Sequence, residues 1–228
     1  MRQNRLFVIV LMVLGMSLSS CLQPKCPEST SLGELELTEE TRDLFPYDGT
    51  ESLVFVNERD VEARFTTEAG IIPFENQLGV NVTCDEDAVD RTVEFYRSGI
   101  LNLRFDDEDN RFRLALSLGV LNDRPLTGDT ILFDALQVSY EEFGIQLGSL
   151  DLFANTRGNE DQISDRTKEQ YTRFNFYETV EIHDRVYANV HALEFNGVDV
   201  LFFNYTSGIV GFFAPTISQI WALDRIEK

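Results

Sequence analysis

The residue with the most clearly defined chemistry is Cys21, because of what precedes it. Two arginines lie ahead of an unbroken apolar run, Leu6–Leu14, and Leu18-Ser19-Ser20 stands directly before the cysteine. This order of positive, apolar and small residues is typical of a secretory signal. The apolar run spans only about 14 Å as a helix, whereas a bilayer crossing needs roughly 20 residues. The segment therefore indicates a removable leader rather than a membrane-spanning anchor.

The placement of Cys21 after Leu18-Ser19-Ser20 resembles the bacterial lipobox. In that motif a signal peptidase cuts before the cysteine, and the sulfur carries a diacylglyceryl group. We therefore predict that residues 1–20 are removed and that Cys21 is lipidated; secretory cleavage without a lipid is the alternative. Two or more acyl chains give stable membrane anchoring, whereas a single chain gives only marginal binding.

The chain has three cysteines, and lipidation of Cys21 leaves Cys26 and Cys84 as one potential intrachain pair. An oxidising compartment permits a disulfide between them. In the chain-entropy model a bridge closing a loop of this length contributes about 4 kcal/mol to stability. It would pin the base of the tether to the domain. Two unpaired thiols are the alternative.

The charge balance is strongly acidic, with 19 Lys and Arg against 39 Asp and Glu. Removal of residues 1–20 brings the net charge from -20 to about -22, since two arginines are lost. Such a chain is unsuited to binding nucleic-acid phosphates or anionic headgroups, so we predict no nucleic-acid partner and a membrane association through the acyl chains. The acids are dispersed among apolar residues, which indicates a solvated surface.

Catalytic motifs are missing from the sequence. It has no Gly-x-Ser-x-Gly, no His-Glu-x-x-His, no phosphate-binding glycine loop and no Cys-x-x-Cys. No nucleophile and base pair is visible either. We therefore predict a protein that is not an enzyme and that needs no cofactor.

Metal-binding patterns are equally weak. His183 and His191 lack a third ligand at the spacing of a zinc site. The acidic run Asp106–Asn110 has Arg111 and Ser117 where an EF-hand loop requires glycine and glutamate. We predict no metal site, and a hairpin tip at the acidic run, because Asp and Asn favour turns.

Alternation of apolar and polar residues dominates from Ser52 onward, which is typical of β-strands. Asn196-Gly197 gives the strongest hairpin signal. The predicted strands are Ser52–Asn57, Val61–Thr66, Leu101–Phe105, Phe112–Leu118, Ala135–Tyr140, Phe143–Leu147, Leu150–Phe153, Tyr171–Ile182, Val186–Phe195, Val198–Asn204, Ile209–Phe213 and Ile220–Leu223. We predict a mainly β fold, with one antiparallel sheet curled into a barrel or half-barrel and at most one or two short helices.

The organisation along the chain follows from these patterns. Residues 21–33 form the lipidated cysteine and its tether, since they are polar and contain Pro24 and Pro27. Residues 34–228 form a single β-rich domain. Within it, residues 154–170 have almost no apolar content, which indicates a mobile surface loop.

Aromatic residues are abundant in the last third of the chain. Phe202-Phe203 and Phe212-Phe213 direct rings to both faces of their strands, and such strands are usually covered on both faces. Core packing is the favoured interpretation. The alternative is an apolar cavity or groove for a ligand, as in small ligand-binding barrels, with Phe174, Phe176, Phe202 and Phe212 as its lining.

Two stretches of the chain resemble a known group of proteins. Leu37–Glu40 followed by Phe45–Phe55 resembles the opening of small uncharacterised lipoproteins of Bacteroidota, in which a polar turn and a proline-tyrosine step precede a strand. Glu181–Val190 followed by Phe202–Phe212 resembles their C-terminal hairpins. His183-Asp184 departs from the glycine-containing turn that is usual there. The resemblance implies a lipid-anchored, β-rich envelope protein and carries over no catalytic residue, since none is established for the group.

These observations predict a lipid-anchored envelope lipoprotein with a structural or binding role, whose partner is an envelope protein, a glycan or a lipid. A carrier or chaperone for an apolar ligand is the alternative, and it requires a continuous cavity of several hundred Å³. Leu22 is not an aspartate, which by analogy with enteric bacteria favours the outer membrane. The stretch Leu22–Lys25 lacks the early acids of a surface-export signal, which favours the periplasmic face.

Overall fold

The computed structural model describes residues 28–84, 92–123, 131–157, 163–171 and 174–228. These residues form one 13-stranded sheet and two short helices. The sheet curls into a half-barrel, which confirms the predicted fold class. The strands are β1 (Thr30–Leu35), β2 (Ser52–Asn57), β3 (Glu62–Thr66), β4 (Ile72–Cys84), β5 (Thr92–Asp107), β6 (Phe112–Asp123), β7 (Ile131–Glu142), β8 (Ile145–Thr156), β9 (Asn175–Ile182), β10 (Arg185–Phe195), β11 (Val198–Asn204), β12 (Gly208–Ala214) and β13 (Gln219–Glu227), and the helices are α1 (Glu39–Arg42) and α2 (Asp165–Gln170).

The 16-residue strand β5 joins the parts of the sheet. The main path runs β8-β7-β6-β5-β3-β2-β13-β12-β11-β10-β9, and β1 and β4 pair with β5 beside it. The N-terminal part of β5 lies between β1 and β4, while its C-terminal part lies between β3 and β6. The β1 and β5 strands pair in parallel, and every other pair of the described strands is antiparallel.

Aromatic side chains fill the interior of the half-barrel. Phe212 is fully buried; its ring centroid lies 5.2 Å from that of Phe55 and 5.6 Å from that of Phe65. The Trp221 ring stacks on Phe212 at 6.0 Å. Leu114 of β6 and Leu136 of β7 belong to the same buried cluster as Phe212 of β12. Strands that are distant in the sequence therefore meet in this core.

A second apolar cluster lies on the other face of strands β11–β13. The Tyr187 hydroxyl of β10 donates a hydrogen bond to the carbonyl of Leu223 in β13 at 2.8 Å, although β11 and β12 separate these strands in the sheet. The β9–β10 hairpin therefore folds back across that face, where it buries Phe202 beside Val210. Phe203 faces the main core. This hairpin explains why the strand is apolar on both sides.

A third cluster forms beneath α2. Tyr171, directly after the helix, packs edge-on against Phe133 at 5.2 Å, and Phe153 stacks on Phe133 at the same distance. The buried carboxylate of Asp123 accepts hydrogen bonds from the Ser164 backbone N–H and side-chain hydroxyl, at 2.7 Å each.

The prediction of a loop over residues 154–170 is therefore wrong in part. Strand β8 extends to Thr156 and residues 165–170 are helical; residues 158–162 lie outside the described structure. The helix forms because Ser164 caps it and Tyr171 gives it an apolar contact, two features that the low apolar content of the segment conceals.

The beginning of the domain also differs from the prediction. Strand β1 starts at Thr30, within the segment assigned to the tether, because its backbone pairs with β5 through Leu35. Strand β4 has no counterpart among the predicted strands. The two predicted strands Phe143–Leu147 and Leu150–Phe153 correspond to the single strand β8. This strand begins at Ile145, and Phe143 lies in the turn before it.

Helix α1 is fixed to the sheet by a buried carboxylate. The Thr38 side chain caps the helix, and the Thr41 hydroxyl donates to Asp134 of β7 at 2.8 Å. Arg157 donates to the same carboxylate at 2.7 Å. Neither helix in the described part of the chain has the length and apolar character needed to cross a bilayer.

Tyr47 joins the beginning of the domain to its C-terminal strands. Its ring is buried, and its hydroxyl accepts a hydrogen bond from the Ile209 N–H at 2.8 Å. Burial raises the pKa of this hydroxyl above its ordinary value. Gly208 has φ +76°, and a Cβ at that position would collide with the Tyr47 ring. The loop before β2 and the turn before β12 are therefore complementary.

We expect Tyr47→Phe to lower the free energy of unfolding by about 1–3 kcal/mol, because it leaves the buried Ile209 N–H without an acceptor. Tyr140→Phe is the matched control. Tyr140 is also buried, but its hydroxyl has no hydrogen-bond partner in the described structure, so its removal should leave stability unchanged or slightly higher. Urea denaturation of the purified proteins compares the two, and equal losses would contradict the assignment.

Candidate binding surfaces

An open groove of about 450 Å³ lies beside the N-terminal strand. We call it the tether-side groove. Strands β1, β4 and β5 and helix α1 form its walls. Its apolar lining includes Leu35, Pro73 and Leu101, and its charged lining consists of Glu34, Glu36, Arg42, Glu75 and Arg97.

Opposite charges face one another in this groove. Arg97 lies 3.6 Å from Glu75, and Arg42 lies 3.9 Å from Glu36. These exposed pairs contribute little to stability. Their consequence is electrostatic: two arginines stand against three glutamates in the lining, so the groove is almost neutral on a protein whose net charge is -20.

Two large apolar side chains of β4 are exposed next to the groove. Phe74 is 60% exposed and Ile72 is 51% exposed. They are two residues apart on one strand, so they lie on the same face. Within the described residues β4 pairs with β5 alone, so it is an edge strand with one free side. Exposed edge strands are natural points of contact with other molecules.

A trough runs along one face of strands β5–β7. It consists of two depressions of about 390 and 220 Å³ that share Ser117 and Gln137. The small residues Ala115 and Gly119 are part of its lining. Some of its polar groups already bond to one another, since Gln137 donates to Asp151 at 2.7 Å.

Apolar side chains also surround the turns at the C-terminal end of β5. Phe143, Ile145 and Ile217, which we call the distal rim, are 50%, 66% and 38% exposed. Hydrogen bonds join their turns: the Phe143 N–H donates to the Arg111 carbonyl at 2.6 Å. The Thr216 N–H donates to the buried Glu142 carboxylate at 3.3 Å. The rim is therefore a fixed surface.

The structure divides the aromatic residues predicted to line a ligand site. Phe212 is fully buried in the main core and Phe202 is buried in the second cluster. Phe174 and Phe176 do come together, with ring centroids 4.9 and 5.2 Å from that of His191. Phe174 also packs against the main core, whereas Phe176 is 53% exposed. Packing on the two faces of the sheet explains the burial of Phe212 and Phe202.

The two histidines have structural surroundings. His183 Nε2 lies 2.9 Å from the carbonyl oxygen of Ile220, and His183 and Asp184 both adopt positive φ in the β9–β10 turn. His191 is half-buried among Phe174, Phe176 and Tyr205, and its buried Nδ1 has no hydrogen-bond partner in the described structure. Burial lowers the pKa of His191 below its ordinary value.

The acidic run is the hairpin tip that the sequence predicts. Strand β5 ends at Asp107 and β6 begins at Phe112. The Asp107 carboxylate accepts hydrogen bonds from the backbone N–H groups of Arg111 and Phe112, at 2.6 and 2.7 Å. In the described part of the chain, no group of three or more His, Cys, Asp or Glu side chains is arranged to hold a metal ion.

The neighbouring Asp106 lies between Arg104 and Arg113. Partial burial raises the pKa of its carboxyl, but hydrogen bonds from both guanidinium groups outweigh that effect, and its pKa lies below the ordinary value. The predicted lipidation site, Cys21, and the predicted bridge residue Cys26 lie outside the described residues, as does the side chain of Cys84. The lipid and the bridge therefore stay predictions.

Comparisons with protein-family models, with curated proteins and with solved structures find no match for this chain. The resemblance to lipoproteins of Bacteroidota therefore stays a prediction. The comparisons therefore assign no role to the tether-side groove or to the distal rim.

The pH dependence of stability tests the environment of His191. Because its pKa is lowered on folding from about 6.5, the unfolded state binds more protons below that pH, and the free energy of unfolding falls as the pH drops through and below 6.5. We expect His191→Phe to lose less stability than the parent between pH 7.5 and pH 5. Tyr205→Phe keeps the ring beside His191, so its free energy of unfolding should change with pH as in the parent. The same pH dependence in His191→Phe would contradict the assignment.

Proposed function

We propose that this protein is a lipid-anchored lipoprotein of the cell envelope, with a structural or binding role rather than a catalytic one. The anchor is the acylated Cys21, and the outer membrane, on its periplasmic face, is the proposed location. The observation that carries the binding role is the separation of the tether from an exposed apolar end of the domain.

That separation follows from the parallel pairing of β1 with β5. Thr30 lies opposite Glu94, close to the first residue of β5, so the tether joins the domain at that end. The distal rim lies beyond the last residue of β5, Asp107, since the Phe143 N–H bonds to Arg111 in the following turn. A strand of 16 residues spans about 50 Å. A domain held at Cys21 can therefore present the rim well away from the membrane.

The chemistry of the rim indicates the kind of partner. The hydrogen-bonded turns fix the positions of Phe143, Ile145 and Ile217. A partner can therefore bind them with little loss of conformational entropy in this protein. A protein whose net charge is -20 attracts basic surfaces. The proposed partner is therefore an envelope protein with an apolar face bordered by basic residues. A carrier role receives no such support, because aromatic side chains fill the interior.

Site-specific photo-crosslinking in intact cells tests this role. With a photoreactive amino acid at Ile145, we expect one discrete adduct with a basic envelope protein, and at least a fivefold loss of that adduct when Phe143→Ser is added. Val186 is the matched control, because it is 68% exposed but lies at the start of β10, outside the rim. Equal adducts from Val186, or none from Ile145, would contradict the proposal.

A further inference from the structure

We infer that the exposed flank of β4, formed by Ile72 and Phe74, lies against the membrane that holds the lipid anchor. The proposed partner is a bilayer surface whose lipid headgroups are electrically neutral. The inference rests on the proposed lipidation of Cys21 and extends it: the acyl chains would be joined by a second, protein-side contact that orients the domain.

The length of the tether limits where the membrane is. Six residues separate Cys21 from Glu28, the first described residue, so the chain between these two Cα atoms spans at most about 25 Å in any conformation. Val93 donates its N–H to the Ser29 side chain, so the chain is already attached to the start of β5 at that point. The bilayer must therefore pass within about 25 Å of this end of the domain.

The β4 flank lies within that reach. Thr30 is opposite Glu94, and Phe74 is opposite Ile100 on the same strand β5. Six residues along a strand correspond to about 20 Å. When the domain lies on this side, the tether is long enough to place Phe74 at the bilayer surface. The distal rim lies beyond Asp107, so seven residues of β5 separate it from the proposed contact at Phe74.

The exposed side chains suit a bilayer interface. Phe74 and Ile72 share one face of an edge strand and are more than half exposed. Apolar side chains of this kind enter the boundary between headgroups and acyl chains, and their binding adds to that of a lipid anchor. Two attachments to one membrane also reinforce each other, since the first raises the effective concentration of the second.

Charge decides which lipids fit. The tether-side groove beside Phe74 is almost neutral, because Arg97 faces Glu75 and Arg42 faces Glu36. It offers no cationic cluster that would select anionic lipids. On a protein of net charge -20, the flank therefore fits a zwitterionic surface and should avoid an anionic one.

Quenching by brominated lipids tests the contact with the acylated, full-length mature protein in vesicles of phosphatidylethanolamine and brominated phosphatidylcholine. The single native tryptophan, Trp221, is 2% exposed and serves as an internal background. We expect Phe74→Trp to add emission that brominated chains quench at least twofold relative to unbrominated vesicles. Ile72→Trp is a second reporter, should the first variant fold poorly.

Phe176→Trp is the matched control, because Phe176 is 53% exposed and lies in β9 at another edge of the sheet. Its emission should be unquenched. Vesicle-bound protein in which neither β4 reporter is quenched, or in which Phe176→Trp is quenched equally, overturns the inference and leaves the anchor intact. Protein that does not float with vesicles overturns the anchor, and the inference with it. Weaker quenching when anionic phosphatidylglycerol replaces half of the lipid supports the charge argument; stronger quenching contradicts it.

Discussion

Burial of both faces of one curled sheet is the constraint on which the rest of the structure depends. The inner faces of the strands bury Phe55, Phe65 and Phe212 against one another. The outer face would expose Phe202 and Phe133 if nothing covered it. The β9–β10 hairpin covers the first and the segment ending at Tyr171 covers the second. The apolar surfaces left uncovered include those at β4 and at the distal rim.

Buried carboxylates hold these covering segments and turns in place. Asp123 receives the N–H of the α2 cap, Asp134 receives the Thr41 hydroxyl and the Arg157 guanidinium, and Glu51 accepts from the backbone N–H groups of residues 48–50. Hydrogen bonds to a charged acceptor are stronger than those between neutral groups. The acidic composition predicts that most carboxylates are solvated. Glu51, Asp123 and Asp134 are instead nearly inaccessible to solvent, and they hold the fold together through these hydrogen bonds.

The sequence predicts those strands whose apolar residues are buried and bounded by turns. Strands β2 and β11 match their predicted bounds, because Ser52–Asn57 and Val198–Asn204 are strongly apolar and end at turns. Strand β4 is not among the predicted strands, because Leu78 alone is buried among residues 72–82 and the segment shows no period of two. The candidate surfaces share that difficulty. Phe74 and Ile145 are recognisable only when a structure shows that nothing packs on them, whereas Phe202 and Phe212 look available in sequence and are buried.

The proposed membrane contact along β4 and the proposed partner contact at the distal rim both depend on the acylation of Cys21. Intact-mass analysis of the mature protein isolated from its native membrane tests this directly. We expect a chain that begins at Cys21 and carries the mass of a diacylglyceryl group, and a Cys21→Ser protein that is released from membranes. A mature protein with unmodified Cys21, or with residues 1–20 still attached, would contradict it.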